Sequence, residues 1–311
     1  MKTNYKTSSI IMDILYPTIM YIVIQVIVMS IVRAIIGTEV SSYMLCQIIM
    51  TIIMLQIMYF GFYTRAGFIV PARNNAAKNN PARNNAARND PAKNNQIKNN
   101  RDKKIKVITI NSLITNIKNT INSCYKKVLI ISITILLLSF GLNNIILMSP
   151  LAEVSAGYSE ANANFYGSLI VLEIVGSVIL TPILEELVFR GIVFGRLRYV
   201  TGIIPSVIFS SLAFAMIHFN LVQFIYALVI GFALAIFMEW TDGLYGALCG
   251  HMVANFLAVI RTEFNLLSFT IDGSIDAWII SVLAFFIGVV LTALICVEIF
   301  KFNKSDKNNR K

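Results

Sequence analysis

Eight stretches of the chain, each about twenty residues long and nearly free of charge, set the terms for its fold. They fall at about 10–36, 43–63, 128–148, 166–189, 203–219, 222–240, 244–259 and 278–300. A helix needs about 20 mostly apolar residues to cross the hydrocarbon core of a bilayer. Within lipid, only helices and closed barrels satisfy their own backbone groups. The expectation is therefore an all-α integral membrane protein, a bundle of eight transmembrane helices. Charged residues make up only 14% of the 311, against about 25% in ordinary globular proteins, too few for a soluble surface. The first stretch is too long for a signal peptide and no small-residue cleavage site follows it, so it is expected to remain as a span.

The net charge of +10 is concentrated in one place. Residues 71–106 hold ten Lys or Arg and two Asp, which leaves the rest of the chain almost balanced. Within them, residues 71–100 are three copies of a ten-residue repeat, PARNNAAKNN, PARNNAARND and PAKNNQIKNN. A segment so rich in Asn and Pro buries too little to offset its chain entropy, so it is expected to be a cytoplasmic linker. It is also a candidate strip for contact with anionic lipid, where each cation contributes about 1 kcal/mol. It has no aromatic residue, and nucleic acid is not an expected partner. Residues 105–125 mix apolar and polar groups in the manner of an amphipathic interfacial helix.

The other loops orient the bundle. Lys2 and Lys6 precede the first span, Arg196 and Arg198 follow the fourth, and Lys301, Lys304, Lys307, Arg310 and Lys311 lie in the tail. The intervening loops carry Glu39, Glu153 and Glu160 with no cation. The alternation places both termini in the cytoplasm, with the plasma membrane as the expected location. Arg261 is the exception, on the expected outer side. The expected organisation is two N-terminal spans in 1–63, the basic linker and interfacial helix in 64–127, a six-helix core in 128–300 and a basic tail in 301–311. Cys46, Cys124, Cys249 and Cys296 show no metal-binding or disulfide spacing.

Charge inside a bilayer span is costly and points to function. Thr181–Gly191 reads TPILEELVFRG. Arg190 lies four residues after Glu186, on the same helix face, while Glu185 points about 100° away. Spacing thus gives Glu186 a partner on its own helix and Glu185 none. The chain has only two histidines, His218 at the end of FAMIH and His251 at the start of HMVAN, and both fall in expected spans. Asn255 follows His251 by one turn and shares its face. A carboxylate and two imidazoles suit two chemistries. Glu185, His218 and His251 could hold Zn²⁺ with a position left for water. Alternatively the carboxylate and one imidazole activate water directly, while the other imidazole and the amide donate to an oxyanion. Both routes hydrolyse an acyl bond, most plausibly a peptide. Other polar groups have structural readings. Glu173 is about 18 Å along the helix from Glu185. Gln25, Gln47 and Gln56 suit bonds between helices. Pro182 frees a carbonyl one turn before Glu185.

Taken in order, EELVFR, FAMIH and HMVAN match EExxxR, FxxxH and HxxxN. The chain resembles the CPBP family of intramembrane proteases, also called the CAAX protease, bacteriocin-processing or Abi family, over about residues 167–260. The resemblance implies an endopeptidase acting on a membrane-associated peptide or protein. It implies that Glu185 activates the attacking water with help from His218, that His251 and Asn255 stabilise the oxyanion, and that Glu186 and Arg190, with Phe214, support the site. Both metal-dependent and glutamate-dependent mechanisms are known for the family, so Zn²⁺ stays a candidate cofactor. A non-proteolytic immunity or scaffold protein of the same fold is the alternative, and a proton-relay transporter ranks third.

Overall fold

The structure, a computed structural model, describes residues 7–37, 40–60 and 110–308. The basic stretch at 71–106, with its repeat at 71–100, lies outside them. Two compact units divide the described residues, one holding 110–127 and the other the remainder. The long elements are α1 (Thr7–Ile36), α2 (Val40–Met58), α3 (Ile110–Met148), the short α4 (Leu151–Val154) and α5 (Tyr158–Phe165), then α6 over 170–200. There follow α7 (Ile203–Met216), α8 (Leu221–Thr241), α9 (Leu244–Glu263), a single 3₁₀ turn at Ser268–Ile271 and α10 (Ile275–Asn308). No strand occurs among the described residues. The expected interfacial segment, from residue 110 on, continues into α3 without a break.

The chain is an all-α, multi-pass membrane protein. Among the described residues, five helical segments are long and apolar enough to cross a bilayer: Leu15–Ile36, Asn122–Met148, Leu221–Thr241, Leu244–Glu263 and Ile275–Asn303. Tyr43–Met58 and Ile203–Met216 are apolar but shorter. Side chains such as Val26, Ile27 and Ile31 on α1, and Leu283, Phe286 and Leu294 on α10, stand exposed. Apolar faces of this extent suit lipid rather than water.

In lipid, helices associate through close packing and polar contacts, since acyl chains are as apolar as Leu. One packed cluster joins Ile131, Ile135 and Leu138 of α3 to Leu234 and Phe237 of α8, Ala247 and Ala254 of α9, and Ile295 and Ile299 of α10. A second joins Tyr21 of α1 and Met50, Met54 and Met58 of α2 to Leu184, Val188 and Phe189 of α6, and to Phe214 of α7. Glycine sets the closest approach of α3 to α10. A Cβ on Gly288 would stand 2.7 Å from the Leu138 nitrogen.

α6 is the irregular element. Its backbone is helical throughout 170–200, but α turns at Ile170–Glu173, Thr181–Glu186 and Gly195–Val200 alternate with π turns at Ile174–Leu180 and Leu187–Phe194. Such π segments are rare and concentrate at functional sites. The paired glutamates sit on the single α stretch between them. After α6, Gly202 takes the left-handed φ of +104° that lets the chain turn into α7.

Candidate active site

The sequence motifs meet on three helices packed around one cavity of about 580 Å³. Glu185, Phe214, His218, His251 and Asn255 all line it. Glu186 and Arg190 sit behind this lining, 1% and 0% exposed. The spacing-derived ion pair is present, with Arg190 Nη1 donating to Glu186 Oε1 at 3.0 Å. The same guanidinium reaches α8, where Nη2 donates to the Gly231 carbonyl at 3.1 Å. A Cβ at Gly231 would stand 3.3 Å from that Nη2 and 3.2 Å from the Phe214 ring. A larger residue at 231 would press on the guanidinium and the ring where α8 comes this close.

Phe214 is the hub of the apolar wall. Its ring packs edge-on against Phe189, His218 and His251, with centroids 5.5, 5.2 and 5.5 Å away. The Arg190 guanidinium lies over it, 4.5 Å from the centroid. The aromatic position one turn before His218 thus holds both imidazoles and the buried cation in register.

The two glutamates are committed differently. Glu186 Oε1 takes Arg190 and also accepts from His251 Nδ1 at 2.9 Å. A carboxylate paired to a guanidinium can only accept, so His251 Nδ1 carries a proton and Nε2 is the ring nitrogen turned to Glu185. That Nε2 stands 3.6 Å from Glu185 Oε2. Glu185 is not without neighbours, as helix spacing alone suggested. Besides His251, the Tyr21 hydroxyl of α1 approaches its Oε1 at 3.5 Å. Tyr21 is 1% exposed and packs edge-on against Phe189 at 5.7 Å.

His218 differs from expectation in position. α7 ends at Met216, so His218 sits in the turn beyond the helix. Its Nδ1 bonds the Phe214 carbonyl at 3.1 Å, which again puts the proton on Nδ1 and leaves Nε2 as an acceptor. The chain then restarts as α8. The Asn220 side chain caps it by accepting from the Gln223 amide at 2.9 Å. Among the described residues, no group of three His, Cys, Asp or Glu side chains is arranged to hold a metal ion. The Nδ1 atoms of the two histidines are held, one by a backbone carbonyl and the other by Glu186, so a metal taken by Glu185, His218 and His251 would use the two Nε2 atoms.

Asn255 projects from the face of His251, and its Nδ2 donates to the Ser177 carbonyl at 2.8 Å. Pro182 accounts for that acceptor. In the π turn before it, the Thr181 amide bonds the Gly176 carbonyl, five residues back. The next amide in this pattern would take Ser177, but Pro182 has no N–H. The vacated carbonyl is filled from α9. Thr181, one turn before Glu185, also lines the cavity, and its buried Oγ1 has no partner among the described residues. Glu173 stays apart from the site and accepts from the Ser168 amide at 2.9 Å.

Three contributors have no motif: Tyr21, the Ser177 carbonyl and Gly231. A lone glycine in the bulky apolar run of α8 is a signal of close approach. Nothing in the sequence sets Tyr21 apart from the other tyrosines.

Residues 167–257 match the family model described as Type II CAAX prenyl endopeptidase Rce1-like. The likeness is confined to this segment. It contains every motif residue above and excludes Tyr21. Over 89 residues the chain is 33% identical to the Bacillus subtilis (strain 168) protein named "Putative membrane peptidase YdiL". That alignment covers 29% of this chain and 36% of that protein, so the chain matches about a third of the relative's length. No solved structure matches the chain.

Proposed function

We propose that the chain is an intramembrane endopeptidase that hydrolyses a peptide bond in a membrane-associated protein or peptide. In this reading it has eight spans and cytoplasmic termini in the plasma membrane. The observation that carries the proposal is the unequal commitment of the adjacent glutamates. Glu186 spends its Oε1 on both Arg190 and His251 and lies behind the cavity wall, whereas Glu185 opens on the cavity beside His251 Nε2. The Rce1-like segment and the relative's name support the same chemistry.

In this mechanism Glu185 is the general base that takes a proton from the attacking water. His251 Nε2 receives protons from Glu185, and the resulting imidazolium lies between two carboxylates that stabilise it. Glu186 fixes the ring and its tautomer, as the carboxylate does in a hydrolase triad. This assigns to His251 the partnership with Glu185 that the resemblance gave to His218. His218 in its neutral form offers an acceptor at Nε2, so its part is to receive and return a proton. Donation to the oxyanion falls on Asn255, which has a second amide N–H beyond the one spent on Ser177.

The test compares membrane peptidomes of cells carrying the native chain or Glu185→Gln, with expression and insertion matched. Loss of defined peptides and accumulation of full-length precursors in the variant is the expected result. Identical peptidomes with an unchanged cellular phenotype would favour the immunity or scaffold alternative and reject hydrolysis.

A further inference from the structure

The lining of the cavity changes character along its length. Thr181, Glu185 and His251 at its floor are buried, whereas Asn162, Phe219, Thr262, Leu266, Ser268 and Ile271 are exposed. The exposed set belongs to the last turn of α9 and to the connections after α3, α7 and α9, so the mouth lies at that end of the bundle. Hydrogen bonds tie this end together. The Val222 amide at the start of α8 donates to Ser155 Oγ at 3.2 Å. Asn144, near the end of α3, donates to Thr270 Oγ1 at 3.1 Å and to Ser281 Oγ of α10 at 3.0 Å. The Gly167 amide before α6 donates to Glu263 of α9 at 3.2 Å.

This end is poor in cations. The connections at 149–169, 217–220 and 264–274 carry Glu153, Glu160 and Asp272 and no Lys or Arg. Two cations of nearby helix ends are drawn in from the surface. Arg33 of α1 lies half-buried over the Tyr43 ring at 4.9 Å, and Arg261 of α9 lies 8% exposed over the Phe140 ring at 5.1 Å. The opposite end is rich in cations. Arg196 and Arg198 close α6, where Arg198 pairs with Glu239 at the end of α8. Lys301, Lys304 and Lys307 close α10, and the sequence joining α2 to α3 holds ten more within 71–106. Connections rich in Lys and Arg stay in the cytoplasm, which turns the mouth outward.

We propose that the cavity opens on the extracytoplasmic face and takes its peptide from there, so that the substrate is a segment already carried across the membrane. Hydrolysis of that segment rests on the peptidase reading, and the side of entry rests on the cavity and the charges alone. The depth follows from α9. His251 lies eleven residues before Thr262 on one helix, about 16 Å along its axis. The bond that reaches Glu185 is then near the middle of a hydrocarbon core about 30 Å thick. An extended peptide advancing about 3.3 Å per residue enters by about five residues. Ile146, Ile217, Val222 and Ile230 line the way down, which suits apolar side chains. The substrate is accordingly an apolar segment with that much extended length at the outer face, rather than a folded outer domain.

The first arm of the test reads the side. Asn162→Cys and Ser268→Cys at the mouth, and Ser305→Cys at the far end, are placed singly in a chain carrying Cys46→Ala, Cys124→Ala, Cys249→Ala and Cys296→Ala. Right-side-out and inverted membrane vesicles are then treated with a membrane-impermeant maleimide. The mouth positions should label at least tenfold faster in right-side-out vesicles, and Ser305→Cys at least tenfold faster in inverted ones. The reverse pattern overturns the proposal, as does labelling of mouth and far end from the same side. The second arm uses the native chain. Random decapeptides with a fluorophore and a quencher are linked to dextran, which holds them on the side of addition. Hydrolysis should be at least tenfold faster with right-side-out than with inverted vesicles, and absent in Glu185→Gln. Cleavage confined to inverted vesicles overturns the proposal while the peptidase reading stands. Outward labelling with no cleavage in vesicles or in detergent removes the substrate half together with the peptidase reading and leaves the outward mouth.

Discussion

α6 and α8 lie side by side and differ in almost every respect. α8 is a regular helix of 21 residues with one glutamate, Glu239, near its end. That glutamate pairs with Arg198 of α6 through two bonds of 2.9 Å, and Arg198 is 34% exposed. α6 alternates between two helical forms and holds Glu185, Glu186 and Arg190 in its buried middle. The difference shows what charge at depth requires. Near the end of a helix, an ion pair needs no change of backbone. In the middle of α6, each charged group has partners from one or two other helices, and the backbone itself departs from the α form to expose an acceptor.

The comparison can be broken most severely at Arg190. Arg190→Leu removes the partner of Glu186 and leaves a buried carboxylate facing His251 alone. The expected cost is about 3–5 kcal/mol, measured as reversible unfolding in detergent. A change below about 1 kcal/mol would mean that Arg190 is not the tie between α6 and α8.

Asn255→Ala comes next. It strips the Ser177 carbonyl of its donor, at an expected cost of about 1–3 kcal/mol for an orphaned buried acceptor. The double variant with Pro182→Ala sharpens the point, because it returns an amide to the vacant place in the helix. Recovery of at least half the loss in the double variant is expected, and simple additivity would show that the proline is unrelated to the Asn255 contact.

Tyr21→Phe should act on rate more than on stability. Loss of a hydroxyl at 3.5 Å from Glu185 is expected to cost about 1 kcal/mol, roughly a fivefold fall in peptide cleavage with an unchanged melting temperature. An unaltered rate would place Tyr21 in the packing of α1 alone. Glu239→Gln is the smallest. Its partner is a third exposed, so less than about 1 kcal/mol is expected from the same unfolding measurement. A loss as large as that of Arg190→Leu would erase the contrast between the two helices.

Much of this arrangement was legible before the fold. The apolar stretches located the helices, because lipid leaves a chain few alternatives. Contacts within one helix, such as Glu186 with Arg190, follow from the turn. Contacts between helices do not, since their depth and rotation depend on packing. Tyr21 reaches Glu185 across 164 positions, and no spacing rule spans that distance. The end of α7 before His218 had a readable sign. Asn220 and Gln223 form a reciprocal cap, with Asn220 Nδ2 donating to Gln223 Oε1 at 2.7 Å, and Asn-x-x-Gln announces a new helix. The π turns had no such sign beyond Pro182.

The vacant carbonyl at Ser177 also bears on how the protein is made. Its donor, Asn255, is synthesised 78 residues later. Until then the middle of α6 carries an unmatched backbone oxygen and the polar side chains of Glu185, Glu186 and Arg190, which lipid penalises by several kcal/mol per group. α6 is therefore a poor candidate for release into the bilayer as soon as it emerges. It fits better a span kept beside the insertion machinery until α9 arrives, so that the residues later used for chemistry act first as a checkpoint on membrane integration.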